Sequence, residues 1–214
     1  MSNSPVIAFL NKMTDLILLN VLWILCCLPV FTAGAATTAA YYVSITSIRC
    51  GDGYVVKRFF ESFKKNFRQI TPIWLIILIC SLVSTADMLF WYRQDNGLGK
   101  TMFIISGVVA FMLFIWILWI FPVFAKLEGR TGELLKNAVA FAIGYLPYTA
   151  IILIITGAVV YANLVSLVAN SIMLFVGFAV LFYVQSFFFY RVFMNHIDEK
   201  FDDFDRPEEI FPGE

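Results

Sequence analysis

MFIISGVVAFMLFIWILWIFPVFA, residues 102–125, holds 24 positions without one charged side chain. As an α-helix rising about 1.5 Å per residue it extends about 36 Å, more than the ~30 Å hydrocarbon core of a bilayer. A strand of that composition would leave its backbone groups unpaired in lipid, so the stretch reads as a membrane helix. Three further runs have the same character: Pro72–Trp91, Ala138–Ala162 and Leu167–Tyr190. Prolines 72, 122 and 147 fall near their ends or at plausible kinks.

The whole composition agrees. Of 214 residues, 61% are hydrophobic and 14% charged, and mean hydropathy is +0.84. A soluble domain carries roughly 25% charged residues. Formal net charge is zero, so a nucleic-acid footprint has no support. One histidine, His196, and four cysteines offer no familiar metal-ligand spacing. Cys26, Cys27 and Cys80 sit in apolar runs and read as small hydrophobes, while Cys50 lies near a predicted loop. P-loop, G-x-S-x-G and HExxH motifs are absent. These residues point to no enzyme and to no cofactor or metal.

The N-terminal apolar block, Leu16–Ile48, is too long for one upright span and short for two. Ser4 and Pro5 can start a first helix, about 5–28. Pro29 and Gly34 interrupt the block, and Thr32 is placed to cap a second helix, about 33–49. That helix is rich in small residues, the material of close helix packing. Lys12, the run to Leu28 and Ala33-Gly34-Ala35 imitate a signal peptide. Asp15 stands where a basic flank belongs and the run continues, so no cleavage is expected.

After Gly51-Asp52-Gly53, Val56, Phe59, Phe60, Phe63 and Phe67 recur at helical spacing, with Lys57, Arg58, Lys64, Lys65 and Arg68 on and around the other face. This predicts a basic amphipathic helix, 54–69, lying in the membrane interface. Lys and Arg number six in residues 49–71, three in 126–137 and three in 191–214, against two in 92–100 and none in 163–166. The bias puts the three richer segments, and the C-terminus, in the cytoplasm. A hairpin at Pro29–Gly34 makes six helices with an inner N-terminus; one broken helix makes five with an outer one. An echo, Trp23-Ile24-Leu25…Pro29-Val30-Phe31 and Trp116-Ile117-Leu118…Pro122-Val123-Phe124, favours five if the copies run parallel. The Pro-x-x-Thr-x-Gly break favours six.

The tract DLILLNVLWILCCLPVFTAGAATTAAYYV, then GDGYVVKRFFESFKKNF and a Pro-started span, resembles the YesL-like family of bacterial membrane proteins. Asn20, Trp23, Pro29, Thr32, Gly34, Ala35, Ala36, Thr37 and Ala39 carry the resemblance, with Phe59, Phe63 and Phe67 as a second marker. It implies a plasma-membrane protein encoded beside carbohydrate-uptake ABC transporters and polysaccharide-degrading enzymes in Gram-positive bacteria. It implies no catalytic residues.

The expectation is therefore an all-α integral membrane bundle of five or six membrane helices in one domain, 1–195. The interfacial helix and an acidic tail, 196–214, complete it; the tail is a solvated segment or docks a basic cytoplasmic partner. Function is expected to be accessory to saccharide uptake by an ABC transporter, with its subunits and the lipid bilayer as partners. The alternative is a small secondary transporter with an intramembrane polar site. Intramembrane polar residues are costly, which makes them candidates for such a site. Asp87 is an interfacial acid paired with Arg93 or simply hydrated, or else a proton or cation site facing a bundle cavity. Asn20 is expected to bond Thr37 or Thr38 across the hairpin, as glue or as part of a site; Gln185 and Asn170 admit the same two readings. Trp23, Thr32 and Gly34 complete the candidate set.

Overall fold

The computed structural model describes residues 5–50, 54–94 and 96–194. The acidic tail and His196 lie outside them. The described chain consists of helices joined by short turns: α1 (Pro5–Cys27), a 3-10 turn (Val30–Thr32), α2 (Ala33–Cys50), α3 (Val55–Tyr92), α4 (Gly97–Lys126), α5 (Thr131–Gly144), α6 (Leu146–Val165), α7 (Leu167–Ile172), a π-helical turn (Met173–Gly177) and α8 (Phe178–Met194). Five stretches are long and apolar enough to cross a membrane: Phe9–Cys27, Val55–Tyr92, Gly97–Lys126, Leu146–Val165 and Leu167–Met194. Leu82, Leu89, Ile104, Met112, Ile154 and Leu164 stand exposed along them. Outward apolar side chains suit a lipid solvent, and the fold is an integral membrane helical bundle.

α2 is the inner helix. It packs against α1, α3, α4 and α8, and Ala35, Ala36, Ala39 and Ala40 have no exposed surface. Alanine lets neighbouring backbones approach closely, so the small-residue tract forms the central seam of the bundle. Aromatic rings fill the space beyond it. Trp23 lies 4.5 Å from Phe178, Tyr41 5.0 Å from Phe182, and Trp119 5.0 Å from Phe189, between ring centroids.

The chain reverses between α1 and α2. The Trp23 indole donates to Thr37 Oγ1 at 3.2 Å. A continuous helix would hold residues 14 apart about 21 Å from each other. The break at Pro29 is therefore a hairpin, and α1 and α2 start and finish on the same side. The echoed segment behaves differently. α1 stops at Cys27, whereas α4 runs through buried Pro122 to Lys126. In one respect the copies do agree, since Trp116 also donates to the next helix, at Leu135 O, 3.3 Å.

Three sequence-based boundaries need correction. The amphipathic segment 54–69 is not a separate interfacial helix; it forms the start of α3, which continues through Pro72. Its face carrying Val55, Phe59, Ser62, Asn66 and Ile70 is buried, and α2 is the element against which α3 packs most. Phe59 is fully buried, Phe63 and Phe67 half-buried, and Lys57, Lys64, Lys65 and Arg68 exposed. Segregation of Phe from Lys signals an apolar neighbour but does not distinguish lipid from protein. The span read as 138–162 breaks at Tyr145, because Pro147 in the first turn of α6 cannot continue the ladder from α5. The last span includes a π turn, for which no local sequence pattern prepares.

Candidate functional site

Asn20 is fully buried. Its Nδ2 donates to Leu174 O at 2.7 Å and Met173 O at 3.4 Å, and its Oδ1 accepts from Ala179 N at 3.0 Å. Two of those groups open the π turn and the third lies just after it, where the widened ladder leaves amide and carbonyl groups without α-helical partners. One carboxamide thus completes the hydrogen bonding of a backbone 153 to 159 residues away. The expected bond from Asn20 to Thr37 or Thr38 is not formed. In the hairpin Trp23 comes level with Thr37, so Asn20, nearly a turn further from the reversal, comes level with Ala40, which has no polar group. Thr38 turns back to its own helix, donating to Gly34 O at 3.0 Å.

Thr32 also differs from its expected role. Its hydroxyl points back to Cys26 O at 2.5 Å and Pro29 O at 2.6 Å, satisfying the end of α1 rather than capping α2. Gly34 is required by a close approach. A Cβ there would lie 2.6 Å from Cβ and 2.8 Å from Cγ of Trp74 on α3. The same Trp74 donates its indole hydrogen to Val30 O at 2.7 Å, pinning the hairpin turn.

Asp87 lies elsewhere, exposed near the end of α3. It accepts hydrogen bonds from the Trp91 indole at 3.0 Å and from the Ser106 hydroxyl of α4. Its partners join α3 to α4, and the expected pairing with Arg93 is replaced by them. Asn170 is exposed.

A second polar relay runs through the core. Tyr41 donates to Gln185 Oε1 at 2.5 Å, and Gln185 Nε2 donates to Thr156 Oγ1 at 2.9 Å. It ties α2 to α8 and α6. Gln185 was a sequence candidate; Tyr41 and Thr156 were not. Tyr41 reads in sequence as one more aromatic, and only its phenol at a buried position beside an amide reveals the role. Trp119, donating to Thr149 Oγ1 at 3.1 Å, escaped notice for the same reason. On the basic side, Lys65 pairs with Glu128, and Gln69 donates to Gly129 O at 3.0 Å and Thr131 Oγ1 at 3.2 Å, holding the α4–α5 loop to α3.

The candidate residues therefore form no single constellation. Trp23, Thr32, Gly34, Thr37 and Thr38 build the hairpin, Asn20 serves the last span, and Asp87 joins α3 to α4. Thr32 and Thr38 bond nearby backbone and Gly34 serves a close approach, while Asn20, Trp23 with Thr37, and Asp87 hydrogen-bond between helices. An apolar cleft of about 120 Å³ lies between α3, α4 and α5, bounded by Ile73, Ile77, Cys80, Leu113, Trp116 and Leu135 among others, and none of the candidates lines it. Among the described residues no group of three or more His, Cys, Asp or Glu is placed to hold a metal.

No solved structure matches the chain. Residues 16–88, the hairpin and α3, match the family described as protein of unknown function DUF624. The chain is 31% identical over 164 residues to the protein of Bacillus subtilis (strain 168) named uncharacterized protein YesL, covering 74% of this chain and 76% of that one. A similarity that reaches across three quarters of both chains places the protein in the YesL-like family.

Proposed function

We propose that the protein is a non-enzymatic accessory component of the bacterial plasma membrane, working beside an ABC transporter that imports saccharides, with its C-terminus in the cytoplasm. One observation carries the reading: the buried side chains of Asn20, Gln185 and Tyr41, with half-buried Thr156, are engaged in bonds between helices. A translocation site needs polar groups free to exchange partners with a substrate. Here those groups hold the bundle together, and Asp87 belongs to a different helix pair. The family resemblance supplies the saccharide context, and the charge bias supplies the orientation.

The test is purification of the full-length tagged protein in mild detergent from cells growing on a polysaccharide. Permease or ATPase subunits of a saccharide importer should be enriched over a control membrane protein, and deletion of the gene should slow uptake. Absence of those subunits, with saccharide flux through liposomes containing the purified protein alone, would replace this reading with the permease alternative.

A further inference from the structure

The cleft between α3, α4 and α5 is lined from all three helices: Ile73, Ile77 and Cys80 of α3, Leu113 and Trp116 of α4, and Leu135 of α5. Ile73 and Ile77 are each 8% exposed, and Trp116 and Leu135 are half-buried. Polar contacts hold α5 to both neighbours at the edge of this space. The Trp116 indole donates to Leu135 O at 3.3 Å, so one ring both lines the cleft and joins α4 to α5. Gln69, one turn before Ile73, donates to Gly129 O and Thr131 Oγ1 and ties the start of α5 to α3.

On its α3 side the cleft is continuous with the lipid-facing surface of the bundle. Ile76, which also lines it, is 61% exposed, and Cys80 and Ser81 are exposed. Water is a poor occupant, because a buried water needs roughly two to four polar partners. The polar side-chain atoms along the cleft are the Cys80 thiol, the Ser81 hydroxyl and the Trp116 N–H, and the last is committed to Leu135. A protein helix fits no better. It is about 10–12 Å across with its side chains, and into 120 Å³ it puts no more than a side chain. From Ile73 to Ser81 the lining follows α3 for about 12 Å. That direction, within the tilt of a membrane helix, is the one in which lipid chains lie.

We propose that the cleft between α3, α4 and α5 binds one acyl chain of a bilayer phospholipid, which enters past Ile76 and Cys80 and lies along Ile73, Ile77 and Trp116. Lipid is the solvent on this side of the bundle, and the cleft extends inward the surface which that solvent covers. Left empty, its lining would lose the dispersion contacts that a chain supplies. An engineered apolar cavity of about 150 Å³ in another protein stays dry and takes up benzene for the same reason. Fit of the chain, rather than a bond to the headgroup, selects the ligand. The site is independent of the function proposed above.

The test is native mass spectrometry of the full-length protein in mild detergent, washed free of membrane lipid and then given dioleoylphosphatidylcholine in small excess. Wild type should carry the mass of one phospholipid per chain. Leu113→Phe and Ile77→Phe put a larger side chain into the cleft and should lose that mass while keeping the wild-type unfolding temperature. A block applied after folding covers the case in which those variants fold poorly. In a full-length chain carrying Cys26→Ala, Cys27→Ala and Cys50→Ala, Cys80 is the one thiol left. Benzyl methanethiosulfonate there should displace the lipid, and reduction should restore it. No lipid mass on wild type, or one that survives both the substitutions and the benzyl block, would overturn the proposal. So would a polypeptide held in place of lipid and released by the block, which would assign the cleft to a partner's side chain.

Discussion

At the residue scale, Asn20 shows how one side chain can decide the shape of a distant helix. Three bonds from its carboxamide complete the backbone around the π turn of the last span. Asn20→Leu keeps the volume and removes those partners, leaving buried backbone groups unsatisfied. The expected loss is about 1–3 kcal/mol of stability, read as unfolding of purified protein in detergent; a loss within error of zero would mean the turn does not need it. The Tyr41–Gln185 bond is a smaller term. Double-mutant cycles of membrane hydrogen bonds average about 0.6 kcal/mol and reach about 1.7. A cycle of Tyr41→Phe and Gln185→Leu should couple within that range, and additive effects would argue that the phenol and the amide do not depend on each other. Neither contact was visible in sequence. Apolar runs and charge bias are local or summed properties, whereas the partner of Asn20 lies some 150 residues away and a phenol looks like any other ring.

At the element scale, the hairpin was legible because its causes are local. Pro29 has no amide hydrogen and cannot continue α1, and the small residues after Gly34 announce a close approach. What the sequence left open was the neighbour. The small face meets α3 and α8 as well as α1, and the glycine accommodates Trp74. Gly34→Leu should therefore disrupt the bundle by several kcal/mol, since both Trp74 and the turn it holds must move. Leu18→Phe, on a side chain already 37% exposed, should change little. Size-exclusion profiles of the two variants make the comparison, and equal behaviour would remove the close approach as the reason for glycine. The start of α3 carries the opposite lesson. Its amphipathic pattern was read correctly as helical, but its apolar face is turned onto α2. Lys65 and Glu128 are both more than half exposed, so exchanging their charges together should alter stability by no more than about 1 kcal/mol.

At the scale of the whole molecule, five long apolar helices enclose a shorter inner one, and polar side chains connect them. Hydropathy exposed the outer helices readily, because lipid dictates their length and composition. α2 was harder to assign, being buried by protein and needing less apolar surface than a lipid-facing span. Orientation rests on the charge bias. Reporter fusions after Lys65 and Arg130 should read cytoplasmic and one near Asn96 external; an external signal at Lys65 would invert the arrangement. The central claim is that α1 and α2 reverse on each other, with α2 at the heart of the bundle. Its most direct test places cysteines at Trp23 and Thr37 in a full-length chain whose four native cysteines are replaced, and treats native membranes with a short bis-thiosulfonate linker. The indole–hydroxyl contact of 3.2 Å predicts efficient linkage between the two positions, with a control pair at Leu18 and Thr37 remaining unlinked. Failure of the 23–37 pair, together with an external N-terminus, would contradict the hairpin and restore a single broken helix.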